Sequence, residues 1–494
     1  MTRCLRWDHV GPGLVAGLVL VLAACGATET PSGAIASPAG SGTAASSETP
    51  SATPRTATPL VVDLDVDSSD TMALPFLLRD PSVDVLAVTV VGTGVVHCGG
   101  GLQAVTNILA TLGIDDIPVS CGRSEPLAGT HAFPDEWRTF ADSGYGLALE
   151  RRSVSFLGED APELIRSVAG SATLPITIVT LGPLTNVAEA LQRDTSLAPK
   201  IERIVAMAGA VDAPGNVLLG AEGAPPLPAE WNVYADPTAA DIVLRSGVPL
   251  TLVPLDATND VPINAAFYAA LEADHAAAPA DIVYELLARL GVSGSEYFWD
   301  QLASVVAVDE SVATFETVKL RVDATEGPDS GRTYRAADGV AVRVAMTADQ
   351  TAFEARFLSG LRLGPARPHP FVLAGTFSAR FNGTTCADDA PSAPAAGDWK
   401  IEVETGAAGT TVFVVVRFHD GAGWGDLLEY FATAEDPTDQ PSFLDVTAYA
   451  FFETPGSSGM IAGLTPGSYG LVCLHIADDV NRGFAGSGPF TVVP

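Results

Sequence analysis

The stretch Val61-Val62-Asp63-Leu64-Asp65-Val66-Asp67-Ser68-Ser69-Asp70 decides how the rest of the chain is read. A β-branched apolar run carries carboxylates at Asp63, Asp65 and Asp67, and side chains two apart on a strand share a face. Three like charges on one buried face repel, and each loses hydration on burial. The pattern therefore asks for a cation or for dense hydrogen bonding. A hydrogen-bonded acidic turn without metal is the alternative that the spacing also permits. Asp70 opens an apolar-periodic run, Met72-Ala73-Leu74 to Leu77-Leu78, which predicts a helix capped by Ser68 or Ser69. A strand end followed by a helix start is where α/β sheets bind ligands.

Outward from this stretch, apolar β-rich runs alternate with helical patterns from Leu60 to about Leu363. Val83 to Val91, Pro175 to Leu181, Ile201 to Ala208 and Pro249 to Leu255 read as buried strands, and Leu102 to Leu112 and Leu184 to Leu191 as helices. Continuous apolar strands between amphipathic helices predict an open, mostly parallel sheet covered on both faces. After about Gly364 the texture changes. Phe371 to Phe381, Trp399 to Thr405, Thr411 to Phe418, Phe443 to Phe452, Tyr469 to Ile476 and Phe490 to Val493 alternate or run β-branched, with no convincing helix between them. Residues 364–494 are expected to form an all-β, sandwich-like domain with its own core, removable without loss of the first.

The chain of 494 residues is too long for one ordinary domain, and 47% apolar content is enough for a sizeable core. Its net charge of −33, from 59 acidic and 26 basic residues, argues against nucleic acid or an anionic membrane surface as a partner. Residues 1–25 hold Arg3 and Arg6, an apolar run from Gly13 to Ala24, and Cys25, the order of a signal peptide. Leu22-Ala23-Ala24-Cys25 resembles a bacterial lipobox, so the mature protein is expected outside the cytoplasm, held to the cell membrane through lipid on Cys25. Residues 26–59 are almost entirely Ala, Ser, Thr, Gly and Pro and are expected to be a disordered tether. Cys98, Cys121, Cys386 and Cys473 remain, and four cysteines allow three pairings. Proximity by domain favours Cys98 with Cys121 and Cys386 with Cys473. A Cys4 zinc site is the rival, but no Cys-x-x-Cys pair occurs.

The opening stretch resembles the signature Asp-x-Asp-Pro-Gly-x-Asp-Asp of the inosine-uridine-preferring nucleoside hydrolases. Asp63, Asp65 and Asp70 match, whereas Val66, Asp67 and Ser69 depart from the Pro, Gly and third Asp. Further motifs follow in order. Asp116-Ile117-Pro118-Val119 with Gly122 and Pro126-Leu127 resembles the third-strand region, and Gly182-Pro183-Leu184-Thr185-Asn186 the Gly-Pro turn. Met207-Ala208-Gly209, Gly215-Asn216 and Ala229-Glu230-Trp231-Asn232 with Asp236-Pro237 resemble the central block, Ala208 replacing a glycine. Trp299-Asp300 fits the late aspartate. The resemblance spans residues 60–363 and implies the α/β fold of that family.

It also implies an activity, the calcium-dependent hydrolysis of a nucleoside to base and ribose. Calcium would be held by Asp65, Asp70, Asp300 and the backbone carbonyl of Leu181, a hard-oxygen set that the ion's irregular coordination tolerates. Asp65 would take the proton of the attacking water. Asn216, Glu230 and Asn232 would bind the ribose, and Trp299 would stack on the base or simply pack in the core. Ser69 and Thr93 stand where the family has a ribose-binding Asp and an Asn, so the grip on the sugar is expected to be altered, or Asp67 to take over from Ser69. His97, His131 and His275 show no ligand spacing, and no Gly-x-Ser-x-Gly elbow or phosphate loop occurs. The rival expectations are a catalytically weak lipoprotein that binds a nucleoside or ribosyl compound, and a surface module whose β-domain binds cell wall or carbohydrate. Homo-oligomerisation is compatible with each.

Overall fold

The computed structural model describes residues 57–154, 160–219, 225–292, 296–407, 409–419, 421–433, 442–452, 455–476 and 482–493. The expected leader, Cys25 and residues 26–56 of the expected tether lie outside the described residues, whereas Thr58 and Pro59, expected in the disordered tether, begin the first strand.

Strand β1 (Thr58–Leu64) runs through the middle of a sheet, paired in parallel with β2 (Val83–Val90) on one side and β4 (Ile176–Thr180) on the other. The sheet is completed by β3 (Val119–Cys121), β5 (Ile201–Ala206), β6 (Leu250–Leu252), β7 (Ala313–Val322), β8 (Thr333–Arg335) and β9 (Val340–Ala348). Its order is β3-β2-β1-β4-β5-β6-β9-β7-β8. All pairs are parallel except β9 with β7 and β7 with β8. Successive residues of β1 enter different cores. Leu60, Val62 and Leu64 pack on one face and Val61 on the other, the physical reason the strand is apolar on both faces apart from Asp63. The chain runs outward from β1 to β3 and then returns to β4 beside β1. The strand order therefore reverses between β1 and β4, which opens a crevice at their carboxyl ends.

The helices that position the site and the C-terminal part are α1 (Ser68–Leu77), α2 (Cys98–Thr111), α3 (Thr185–Arg193), α4 (Trp231–Ala235), α5 (Ala278–Leu290), α6 (Trp299–Val308) and α7 (Trp424–Thr433). The cap of α1 differs from expectation. Asp67, not Ser68 or Ser69, accepts the Asp70 N–H at 2.7 Å, and Asp70 reaches back to the Asp67 N–H, a reciprocal capping box. A disulfide joins Cys98 at the start of α2 to Cys121 of β3.

The C-terminal part is two four-stranded sheets, β11-β10-β12-β15 and β14-β13-β16-β17. The strands are β10 (Leu373–Phe381), β11 (Cys386–Asp388), β12 (Gly397–Thr405), β13 (Thr410–Phe418), β14 (Leu444–Phe452), β15 (Gly456–Leu464), β16 (Gly467–Ile476) and β17 (Arg482–Val492). Phe377, Ile401, Phe413 and Tyr469 from both sheets share one core, and the Cys386–Cys473 disulfide links the sheets. Both cysteine pairs are the ones that proximity favoured. The absence of helix expected here is corrected by α7, which places Leu427 against Val412, Val414 and Val416 on the outer face of β13.

This part is also seated firmly on the first. Ile461 of β15 joins the core that contains α5, and Arg289 of α5 meets Asp398 at 3.2 Å. Arg367, just past the expected boundary, is buried and donates to Asp281 at 2.9 Å and Glu285 at 2.7 Å, both on α5 and both fully buried. The Phe371 N–H adds a 3.0 Å bond to Asp281, and Arg367 also binds the Ala148 carbonyl. A cut after Leu363 would leave Asp281 and Glu285 without these partners.

Candidate functional site

The crevice between β1 and β4 holds the acidic stretch. Strand β1 ends at Leu64, and Val66 then takes a left-handed conformation, φ +56°, unusual for a β-branched residue. The Tyr145 hydroxyl donates to the Val66 carbonyl at 3.2 Å and helps hold the turn. This turn corrects the expectation that Asp63, Asp65 and Asp67 share a strand face. Asp63 is still in the sheet, where its Oδ1 accepts from Thr89 at 2.6 Å and from Asn186 of α3 at 2.8 Å. Asp65 and Asp67 lie beyond the strand, and oxygens of Asp65, Asp67 and Asp70 all fall within 4.8 Å of one another.

Asp300, in the first turn of α6, faces the same cluster although it is 230 residues from Asp70 in the chain. Its N–H donates to Ser69 Oγ at 3.0 Å, and Ser69 donates in turn to Gln301 Oε1 at 2.9 Å. One serine hydroxyl thus ties the start of α1 to the start of α6. The Asp65 N–H donates to Asp70 Oδ2, and the Val95 N–H to Asp65 Oδ2, each at 2.9 Å. Asp70 Oδ1 and Asp300 Oδ1 are buried with no hydrogen-bond partner among the described residues.

Burial and mutual repulsion dominate the electrostatics. Asp65 is pushed up to about 7, first by burial and then by the charge of Asp67. Asp70 is raised well above the usual carboxylate range by burial and by Asp300, and Asp300 by burial and by Asp67. Burial likewise lifts Asp63 and Glu230 to about 7. Two orphaned carboxylate oxygens in an all-oxygen setting are the arrangement a hard divalent cation satisfies, so the residues fit a metal ion.

The other expected residues lie on the same crevice walls, in varied states. The Leu181 carbonyl follows β4, its N–H bound to the Asp63 carbonyl at 2.8 Å. That carbonyl accepts from Asn232 Nδ2 at 3.0 Å, which leaves a second lone pair. Asn232 Nδ2 also donates to the Met207 carbonyl, so its Oδ1 is the atom left for a ligand. Asn216 Oδ1 accepts the Trp231 N–H at 3.1 Å, leaving its amide NH2. Glu230 caps α4, both oxygens taking backbone N–H groups of Gly209, Asn232 and Val233. The Thr93 hydroxyl pairs with Thr185 at 2.8 Å, and Thr185 donates to Asp236. Trp299 is half-buried beside Ser69 in a small cavity lined by Met72, Ile263, Leu287 and Leu290, and its Nε1 has no partner among the described residues.

Sequence reasoning named Asp67 in the acidic stretch, and the structure places it in the cluster. Two participants were overlooked. Asn186 closes on Asp63. Buried Arg138 donates to the Gly92 and Val96 carbonyls and so holds the loop that carries Val95, with nothing in its local sequence to mark it. The histidines stand apart from the cluster. His97 pairs with Asp142, His131 stacks on Tyr234 and His275 pairs with Asp281.

A family model described as inosine-uridine preferring nucleoside hydrolase matches residues 60–355. Among curated proteins, the pyrimidine-specific ribonucleoside hydrolase RihA of Shewanella baltica (strain OS185) is 37% identical over 205 residues, 41% of this chain and 61% of that protein. Its namesake in Salmonella typhi is 36% identical over 211 residues, 42% of this chain and 64% of that protein. The chain thus matches less than two thirds of the length of these relatives. A plant nucleoside hydrolase structure, PpNRh1, superposes with a TM-score of 0.54 at 27% identity, covering 62% of this chain and 99% of that one. The inosine-uridine preferring nucleoside hydrolase of Bacillus anthracis, at 23% identity and a TM-score of 0.54 with the same coverage, supports the fold.

Proposed function

The chain belongs to the inosine-uridine preferring nucleoside hydrolase family, and from that premise we propose that it hydrolyses the N-glycosidic bond of nucleosides to free base and ribose, with calcium as its metal. The observation that carries the reading is the buried meeting of Asp65, Asp70 and Asp300, with two carboxylate oxygens unpartnered, at the reversal of strand order. Asp65, Asp70, Asp300 and the Leu181 carbonyl would hold the ion. When bound, it supplies charge to grip the sugar hydroxyls and to acidify a water.

Asp65 is the general base. Its Oδ2 is fixed by the Val95 N–H, which orients the carboxylate to accept a proton from the attacking water. Asn216 offers amide hydrogens and Asn232 an amide oxygen to the ribose. Glu230 acts at one remove, because its oxygens hold the α4 start that carries Asn232. Burial of the cluster excludes bulk water, which strengthens each of these interactions as charge develops on the sugar. Trp299 lines a small cavity beside Ser69 and would meet the leaving base. The leader ending in Cys25 supports a lipid-anchored location outside the cytoplasmic membrane, and the two disulfides suit an oxidising compartment.

The test is base release from a nucleoside panel, with uridine and cytidine first because the curated relatives are named for pyrimidines. Release that stops with chelator and returns with calcium is the expected result. Absence of release from every ribonucleoside in the presence of calcium would overturn the proposal.

A further inference from the structure

Asp67 is the carboxylate of the cluster that the proposed metal set leaves unused. The left-handed turn at Val66 brings it beside Asp65 and Asp70, with oxygens of all three within 4.8 Å. Its Oδ1 accepts the Asp70 N–H at 2.7 Å, so its direction is fixed by the helix it caps. The same carboxylate faces Asp300 across the cluster. Asp70 Oδ1 and Asp300 Oδ1 are almost wholly buried and unpartnered. Four carboxylates therefore converge, and among the described residues no lysine or arginine pairs with them.

We propose that Asp67 is a further ligand of the cation, a fourth carboxylate beside Asp65, Asp70 and Asp300. The inference rests on the calcium reading above and deepens it. A fourth negative ligand raises affinity for a divalent ion, because ligand charge count is a main control of calcium binding. It also takes a coordination position that a water would otherwise hold.

Asp67→Asn is the discriminating variant, since Asn caps a helix as well as Asp does and α1 stays capped. Calorimetry with calcium alone should give a dissociation constant weakened tenfold or more relative to the unmodified protein. Luminescence lifetimes of bound europium in H2O and D2O should report about one more metal-bound water in the variant, because calcium-like ions refill a lost position within their six to eight ligands. A weakened affinity with an unchanged water count means that Asp67 acts only as a nearby charge and overturns the assignment. Affinity within twofold of the unmodified protein overturns it too, and leaves the calcium reading standing. If the unmodified protein binds neither ion, the calcium reading falls and this inference with it.

Discussion

Replacing Arg367 by methionine tests whether the C-terminal part is an appendage or a structural member of the site-bearing domain. The guanidinium is 3% exposed and bridges Asp281 and Glu285, each 0% exposed, while also binding the Ala148 carbonyl. After the change, Glu285 keeps Arg289 at 2.7 Å and Asp281 keeps His275 at 2.9 Å, so the two carboxylates are only partly compensated. Removing one partner of a buried ion pair costs about 3–5 kcal/mol, because the remaining charge stays desolvated. Methionine retains most of the apolar volume, so this loss is electrostatic. For an α/β domain of this size each kcal/mol lowers the melting temperature by roughly 2–4 °C, which gives a drop of about 6–20 °C. Differential scanning fluorimetry on protein lacking the leader reads this directly. Truncation after Leu363 removes Arg367, the Phe371 N–H and the Ile461 contact together, and should melt at least as low or aggregate. A truncated protein that melts within 2 °C of the full chain and binds calcium equally would refute the reasoning.

Chelated protein should lose stability as pH rises. Asp63, Asp65 and Glu230 are held at about 7 against ordinary values of 3.8 and 4.5, so the folded state keeps protons that the unfolded chain has released. That contribution is harmless below about pH 4 and grows unfavourable up to about pH 7, reaching on the order of 4 kcal/mol for the most shifted groups. Melting temperature with chelator should therefore be lower at pH 8 than at pH 5, and excess calcium should shrink the difference by the share of Asp65, the one of the three in the proposed metal set; a flat profile argues against the buried cluster. Asp300→Ala should abolish calcium binding by calorimetry without lowering the melting temperature of the chelated protein, since it removes a buried unpartnered oxygen. Undiminished calcium affinity in that variant would remove Asp300 from the metal set. Ser69→Ala should cost about 1–3 kcal/mol in urea unfolding by orphaning the Asp300 N–H and Gln301, and no loss would mean that the serine does not join α1 to α6.

The sheet was legible in the sequence because parallel strands buried on both faces are apolar on both, as Leu60, Val61 and Val62 are in succession. The candidate site was proposed in the sequence from motifs at strand ends, where backbone geometry restricts the residues. Pairing of the cysteines also followed from proximity within each part. Tertiary structure alone decided the roles of the acidic stretch. A strand reading puts Asp63, Asp65 and Asp67 on one face, yet the left-handed turn at Val66, held by Tyr145 from 79 residues away, leaves Asp63 to Thr89 and Asn186 and sends Asp67 into the cluster. The docking of the C-terminal part was equally hidden. Arg367 reads as one more charge in a loop, and it becomes a buried clamp only when Asp281 and Glu285, more than 80 residues earlier, are folded against it. Local patterns report which face of an element is apolar, whereas the partner of a buried charge is set by contacts between distant segments, which leave no periodic trace in the chain.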